Sequence, residues 1–231
     1  MPRLTPTSPP TSRARAIVRR LTEAYPEAVI SLHYEDAWQL LVAVILSAQC
    51  TDARVNAVTP RLFARFPTPP SVLDSTQEEL EELIRPTGFF RNKSRSIRGA
   101  AEHLLMHHDG MVPRSTRELV KVPGAGRKTA AVVLGEAYGI AEGIAVDTHC
   151  GRLSLRLGLI DTTDPIRAER QLMAVVPRRH WIDWTHLMIA HGRAICRSRV
   201  PQCSACILLD LCPEGRARTA AIRPAPRARR A

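Results

Sequence analysis

The stretch Leu119–Ala130 constrains the fold more than any other part of the chain. It reads LVKVPGAGRKTA, and a capping-box pattern, Ser115-x-x-Glu118, precedes it. Apolar residues at helical spacing flank it on both sides. Pro123 and Gly124 interrupt this pattern, and Gly126 is expected to permit a second tight bend. The stretch therefore predicts two helices joined by a four-residue hairpin.

Lys128 falls in the first turn of the second predicted helix. Glycines before a helix let a phosphate approach backbone N–H groups at the positive end of the helix dipole. The same dipole disfavours a charged ammonium, so a desolvated lysine here is a candidate nucleophile. Only three of the 33 basic residues are lysines, and arginine cannot supply a neutral amine near neutral pH. An ordinary helical hairpin with glycines in its turn remains the alternative.

The charge of the chain indicates a polyanionic partner. The net charge is +11 and the sequence pI is about 10.2, which favours nucleic acid. Part of this excess lies in residues 213–231, which carry six arginines and one glutamate and are expected to be a solvated tail. No apolar run is long enough to span a membrane, and residues 1–12 lack a signal core. We therefore expect a cytoplasmic, nucleoid-associated protein.

No convincing period-two pattern occurs, so the sequence predicts an all-α fold with about ten helices. A basic amphipathic helix is expected over residues 12–24, after a disordered leader at 1–12. Residues 36–49 are almost entirely apolar and predict a helix buried on all sides. Thr51 is predicted to cap the helix that follows.

Four cysteines near the C-terminal end predict a metal site. Cys196, Cys203, Cys206 and Cys212 form C-x6-C-x2-C-x5-C within 17 residues. A compact loop of four thiolates suits a [4Fe–4S] cluster, whereas structural zinc commonly uses two C-x2-C knuckles; the chemistry favours the cluster only modestly. Arg197 and Arg199 lie between the first two cysteines and are candidate phosphate contacts. The two cysteines outside this pattern, Cys50 and Cys150, are expected to be partly buried free thiols.

Together, these motifs resemble endonuclease III, the bifunctional DNA glycosylase/AP lyase of the helix-hairpin-helix superfamily. The resemblance rests on residues 122–130, the segment Val146-Asp147-Thr148-His149 and the cysteine spacing. It is supported by Ser47-Ala48-Gln49 and His191-Gly192-Arg193-x-x-Cys196, and it covers about residues 20–213.

The resemblance implies two helical lobes that flank a DNA-binding cleft. One would be a six-helix barrel over about residues 30–140, with the helix-hairpin-helix at about 115–138. The other would combine residues 13–29 with 141–213 and carry the [4Fe–4S] cluster. Residues 214–231 would be a basic disordered tail.

The resemblance also implies roles for individual residues. Lys128 would be the nucleophile and Asp147 the catalytic carboxylate. The residues alone favour a helix N-cap at Asp147, and the two roles are compatible because a cap fixes the carboxylate in place. Gln49 and Phe89 would fill the gap left by a flipped base. From the residues alone, Gln49 could be a polar helix end and Phe89 a core aromatic. The remaining implied DNA contacts are Pro123, Gly124, Ala125, Gly126, His149, Arg197 and Arg199.

The chain departs from the family pattern at Phe89, where leucine is frequent, at Ala131, which replaces an asparagine, and at Cys150-Gly151. These departures concern substrate range more than reaction type. The predicted function is removal of oxidised pyrimidines from double-stranded DNA by a monomer, with associated AP lyase activity through a lysine Schiff base and β-elimination. The alternatives are the same fold acting on mismatched bases or abasic sites, and a non-catalytic DNA-binding module.

Overall fold

The computed structural model describes residues 4–222, and within this range every regular element is helical. The all-α prediction is confirmed, with twelve α-helices in place of about ten. The two that the sequence pattern did not predict are α4 and α12. The helices are α1 Pro10–Ala24, α2 Ala37–Leu46, α3 Asp52–Arg65, α4 Pro69–Leu73, α5 Gln77–Ile84, α6 Phe90–His108, α7 Thr116–Leu119, α8 Arg127–Tyr138, α9 Thr148–Arg156, α10 Pro165–Val175, α11 Trp181–Ala194 and α12 Pro213–Ile222.

The chain divides into two compact units. The continuous unit is Ile30–Ala145, and the discontinuous unit joins Met1–Val29 to Val146–Ala231. The continuous unit thus holds α2 to α8, and the discontinuous unit holds α1 and α9 to α12.

Helix α2 lies at the centre of the continuous unit. Eight of its ten residues are buried, as its apolar sequence predicts. The Asp36 carboxylate caps it by accepting a hydrogen bond from the Gln39 N–H. The helix ends at Leu46 and not at Gln49, because Gln49 has a φ of 52°, which a right-handed helix cannot contain. Around α2 packs one apolar core that includes Trp38, Leu62, Phe66, Leu80, Ile97, Leu104, Val133 and Leu134.

A buried arginine joins separate parts of the discontinuous unit. Arg13 on α1 is 4% exposed. Its guanidinium donates to the carbonyl oxygens of Leu157, Gly158 at 2.8 Å and Leu211 at 3.3 Å. These bonds connect the N-terminal helix to the end of α9 and to the turn before Cys212. Because a guanidinium carries several donors in a fixed plane, one side chain can hold three carbonyls.

Both predicted disordered ends are partly wrong. In the leader, Pro10 begins α1, since proline suits the first position of a helix, and the Ser8 N–H bonds the Thr5 carbonyl in a turn. In the tail, α12 occupies residues 213–222, and the Glu214 carboxylate pairs with Arg156 and Arg218. Residues 1–3 and 223–231 lie outside the described residues. Among residues 4–222, no helix is long and apolar enough to cross a membrane.

Candidate functional site

The predicted helical hairpin is present in the continuous unit. Helix α7 is a single turn, and the Ser115 hydroxyl accepts the Glu118 N–H, which is one half of the expected capping box. The hairpin segment, residues 119–130, buries Leu119, Val122, Ala125 and Ala130. These apolar contacts fix the turn against the core and leave the glycine side of the turn exposed.

The two glycines of the hairpin have different constraints. Gly124 has a φ of 81°, and a Cβ there would lie 2.8 Å from the Ser96 Cβ, so only glycine fits. Gly126 has an ordinary φ of −79°, and a Cβ there would meet nothing within 4 Å. Gly126 was expected to permit a second tight bend, but its backbone is ordinary and extended, so the bend does not depend on the freedom of a glycine there. Its bare backbone opens toward solvent at the N-cap of α8.

The other predicted DNA contacts of the hairpin, Pro123 and Ala125, differ in their exposure to solvent. Pro123 is exposed, whereas Ala125 is 4% exposed and its N–H donates to the Val122 carbonyl at 3.0 Å. We therefore expect Ala125 to support the turn and not to contact DNA. Gly126 provides no side-chain cap for α8, and the N–H groups of Lys128 and Thr129 have no acceptor within a helix that begins at Arg127.

Lys128 lies in the first turn of α8, as predicted, and its side chain is exposed. The expectation of a desolvated amine is therefore wrong for the protein alone. Lys121, the other lysine of the hairpin, pairs with the Glu118 carboxylate at 2.9 Å.

Phe89 and Phe90 have opposite environments. Phe90 is partly buried, and the guanidinium groups of Arg85 and Arg91 lie 5.1 and 5.2 Å from its ring centroid. Phe89 is 62% exposed and has a left-handed φ of 49°. Phe89 is therefore not a core aromatic. Gln49 is also exposed and left-handed, so both predicted gap-filling side chains lie on unusual backbone.

Asp147 caps helix α9 in the discontinuous unit. Its Oδ1 accepts the Cys150 N–H at 2.6 Å, and the residue is half-buried. The capping interpretation holds, and the bond fixes the carboxylate in place without excluding a chemical role.

His149 packs against α11, where a Cβ on Gly192 would lie 2.5 Å from the His149 Nδ1. Burial lowers the pKa of His149, which favours the neutral imidazole.

The cysteine segment, residues 196–212, surrounds a cavity of about 30 Å³. All four predicted ligands line it: Cys196, Cys203, Cys206 and Cys212. Burial raises the pKa of Cys206 to about 11 and also raises the pKa values of Cys203 and Cys212. Without a bound metal, these groups are therefore thiols at neutral pH.

Several N–H groups point at the sulfur atoms of the cysteine segment. The Gly215 N–H donates to the Cys212 Sγ at 3.2 Å, and the Leu208 N–H donates to the Cys206 Sγ at 3.4 Å. The Arg156 Nη1 lies 3.4 Å from the Cys196 Sγ. Such donors stabilise a thiolate once it has lost its proton.

Arg156 also supports the exposed part of this segment. Its guanidinium donates to the carbonyls of Arg197 at 2.8 Å and Ser198 at 2.7 Å. Arg197 and Arg199, the predicted phosphate contacts, are both exposed. Arg156 was not among the predicted site residues, because no sequence pattern distinguishes it from the other arginines of the chain.

His191 is a second residue without a predicted role. It is 2% exposed, its Nδ1 lies 2.9 Å from the Tyr25 hydroxyl and its Nε2 lies 3.3 Å from the Cys206 Sγ. Burial lowers the pKa of His191 to about 4. The His191-Gly192-Arg193-x-x-Cys196 pattern contained the signal, because a histidine five residues before a ligand on a helix end lies close to the site.

Comparison with known proteins places this geometry in a family. The HhH-GPD superfamily of base excision DNA repair proteins matches residues 42–178. Endonuclease III of Synechocystis sp. is 51% identical over 205 residues, covering 89% of this chain and 94% of that protein. Endonuclease III of Bacillus subtilis is 42% identical over 200 residues, covering 86% and 91%.

A solved structure shows the same relationship. A trapped covalent intermediate of endonuclease III with DNA, an estranged-adenine complex, shares 43% identity at a TM-score of 0.84, covering 90% of this chain and 98% of that one. The resemblance seen in the motifs is thereby confirmed. The chain belongs to the endonuclease III family of the HhH-GPD superfamily, the bifunctional DNA glycosylases and AP lyases of base excision repair.

Proposed function

We propose that this protein removes oxidised pyrimidines from duplex DNA and then cleaves the strand through a Schiff base on Lys128. The observation that carries this proposal is the hairpin itself. It exposes the amine of Lys128 in the first turn of α8, two residues after Gly126, whose backbone is open. A phosphate held by the N–H groups of this turn would bring the adjacent deoxyribose close to the amine.

The reaction is a lysine-dependent displacement followed by elimination. The neutral Lys128 amine attacks the anomeric carbon C1′, the glycosidic bond breaks, and the base leaves with a proton. The bond between C1′ and the ring oxygen O4′ then breaks, O4′ takes up a proton from water, and the Schiff base forms between C1′ and Lys128. The Schiff base acidifies the C2′ hydrogen. Removal of that proton expels the 3′ phosphate, and water then releases the sugar from the enzyme. Because Lys128 is exposed in the free protein, bound DNA must exclude water from the amine.

Asp147 is the proposed carboxylate of the site. Positive charge develops on the sugar as the base departs, and a fixed carboxylate stabilises that charge. The Asp147 Oδ1 accepts the hydrogen bond from the Cys150 N–H, and this capping bond fixes the orientation of the Asp147 side chain. We propose that the second oxygen faces the sugar.

Gln49 and Phe89 are the proposed gap-filling residues. A base must leave the stack before it can be excised, which costs a few kcal/mol. An aromatic ring that stacks in the vacated space recovers about 1–3 kcal/mol. The exposure of Phe89, set against the packed neighbour Phe90, supports this role. Arg197, Arg199 and Pro123 are exposed and are proposed to contact the DNA backbone, and His149 is proposed as a further contact.

The four cysteines fit a [4Fe–4S] cluster better than a single zinc ion. They line one cavity with N–H donors directed at the sulfurs. Four thiolates in one compact segment match a cube whose four irons each take one thiolate, whereas structural zinc commonly uses two C-x2-C knuckles or a mixture of cysteine and histidine. Such a cluster would supply rigidity to the loop that carries Arg197 and Arg199.

Borohydride trapping tests the proposed chemistry. The intact protein should form a covalent adduct with duplex DNA that contains an abasic site, because the Schiff base is reduced to a stable amine. Lys128→Ala should lose the adduct completely. Lys121→Ala is the matched control, an exposed lysine of the same hairpin that pairs with Glu118, and it should retain the adduct. Absence of an adduct with the intact protein would favour a non-catalytic binding module.

A lesion panel tests the proposed substrate class. Single-turnover excision from duplexes with an oxidised pyrimidine, a mismatched thymine or a pre-formed abasic site should be fastest for the oxidised pyrimidine. Faster processing of the mismatch would assign the protein to the related specificity, with the same nucleophile.

A further inference from the structure

Both proposed gap-filling side chains lie on strained backbone. Within residues 4–222, three non-glycine residues have a positive φ: Gln49 at 52°, Phe89 at 49° and Asp109 at 51°. Left-handed backbone is unfavourable for a bulky side chain and persists only where its surroundings enforce it. Phe89 directly follows Gly88, which also has a positive φ of 69°. A glycine frees the backbone without holding it, so another group must enforce the left-handed conformation of Phe89.

Lys93 is placed to enforce the conformation of Phe89. It is 4% exposed, and its Nζ donates to the Thr87 carbonyl at 2.8 Å. Its backbone N–H donates to the Phe89 carbonyl at 3.1 Å. One residue of α6 therefore holds both ends of the wedge segment, which we define as residues 87–89. The Thr87 hydroxyl fixes the segment further by donating to the Ile84 carbonyl.

The burial of Lys93 is costly and so needs a reason. Burial lowers the pKa of Lys93, opposed by the nearby Cys50. Cys50 follows Gln49 in the chain, so Lys93 lies close to both left-handed positions. Methionine would fill the same space without desolvating an ammonium. The Lys93 Nζ contributes what methionine cannot, namely a donor to the Thr87 carbonyl.

We propose that Lys93 is a positioning residue for base extrusion, holding the Thr87 carbonyl so that Phe89 stays turned outward for insertion into the base stack. This inference rests on the proposed function, since it assigns Phe89 a role in extrusion. Phe90 has the neighbouring arginines Arg85 and Arg91 against its ring, whereas Phe89 depends on the backbone beneath it for its direction.

The proposal separates two steps of the reaction. Excision of a damaged base requires extrusion, and so requires Phe89 in place. A pre-formed abasic site has no base to extrude, so strand cleavage there depends much less on Phe89. A loss of stability alone would slow both steps equally, because both would follow the amount of folded enzyme.

Lys93→Met tests the proposal. Single-turnover excision should slow about tenfold, which equals ~1.4 kcal/mol of transition-state stabilisation. Strand cleavage at a pre-formed abasic site should stay within about twofold of the unmodified protein. A 2-aminopurine next to the lesion should report a slower rise in fluorescence as the base leaves the stack. In a Phe89→Ala background, Lys93→Met should add no further loss.

Two further variants isolate the mechanism. Arg98→Met is the matched control, because Arg98 also lies on α6 and donates to carbonyls, those of Val72 and Ser75, away from the wedge segment. It should reduce stability but keep the ratio of excision to cleavage. Gly88→Ala perturbs the wedge segment independently, since Gly88 has φ 69° and ψ 161° and a Cβ there meets no atom within 4 Å. Gly88→Ala should lower the ratio of excision rate to abasic-site cleavage rate as Lys93→Met does. If Lys93→Met fails to fold, Gly88→Ala is the variant that tests the proposal.

The proposal would be overturned if Lys93→Met slowed excision and abasic-site cleavage equally, so that the ratio of the two rates did not change. It would also be overturned if Lys93→Met slowed excision further in the Phe89→Ala background. Failure of the proposed function looks different. In that case the unmodified protein itself would neither excise a base nor form a borohydride adduct.

Discussion

The hairpin segment and the cysteine segment are both proposed to face the DNA backbone, yet they obtain their rigidity differently. The hairpin segment buries Leu119, Val122 and Ala130 in the core of the continuous unit. The cysteine segment buries only Leu208 and Leu211 among its described residues, and polar bonds and thiols hold the rest. Apolar burial thus makes the hairpin segment self-sufficient, whereas the cysteine segment would gain its rigidity from the cluster proposed above.

The largest effect is expected from a substitution that disrupts the cysteine segment alone. Cys206→Ser should remove the visible absorbance and bound iron, and cost on the order of several kcal/mol of stability in the discontinuous unit. Hydrogen exchange across residues 196–212 should become fast, while exchange in the hairpin segment should hardly change. The two segments would not be independent if both lost protection together.

Cys50→Ser is the control for that experiment. Cys50 is half-buried and lies outside the cysteine segment. Its replacement should leave the bound iron and the exchange pattern of residues 196–212 intact.

A smaller effect is expected in the hairpin segment at Gly124. Gly124→Ala should destabilise the protein by about 2–3 kcal/mol, because it combines a left-handed φ with a 2.8 Å approach to the Ser96 Cβ. Urea unfolding followed by helical circular dichroism measures this loss. Adding Ser96→Gly should recover the part of the lost free energy of unfolding that comes from the steric contact, and leave the part that comes from the left-handed φ. If no stability were recovered, the contact with Ser96 would be unimportant.

The smallest expected effect on stability lies two residues further along. Gly126→Ala should change the free energy of unfolding by no more than ~0.5 kcal/mol, because its φ is ordinary and a Cβ there is unopposed. It should still weaken binding to abasic-site DNA about tenfold, since the methyl group would stand between the backbone and a phosphate. Fluorescence anisotropy at fixed salt measures the affinity. Unchanged affinity would show that DNA does not approach this turn.

Much of the local structure was predictable because it depends on local chemistry. Thr51 and Ser115 each cap a helix at the expected position, and the apolar run of α2 is buried as its composition requires. Errors occurred where distant contacts decide the outcome. Helix α12 was expected to be disordered because of its arginines, but Arg156 on another helix pairs with Glu214 there.

The sequence by itself determined the helical class, the hairpin, the lysine within it and the grouping of four cysteines, since each is a pattern of neighbouring residues. Only the tertiary structure decided that Gly124 is required and Gly126 is not, because the difference lies in the approach of Ser96 from another helix. It also decided that Phe89 is exposed while Phe90 is packed, and that Lys93 is buried against the Thr87 carbonyl. Contacts between separate segments depend on how helices pack, and packing is set by the whole core and not by any one stretch of chain.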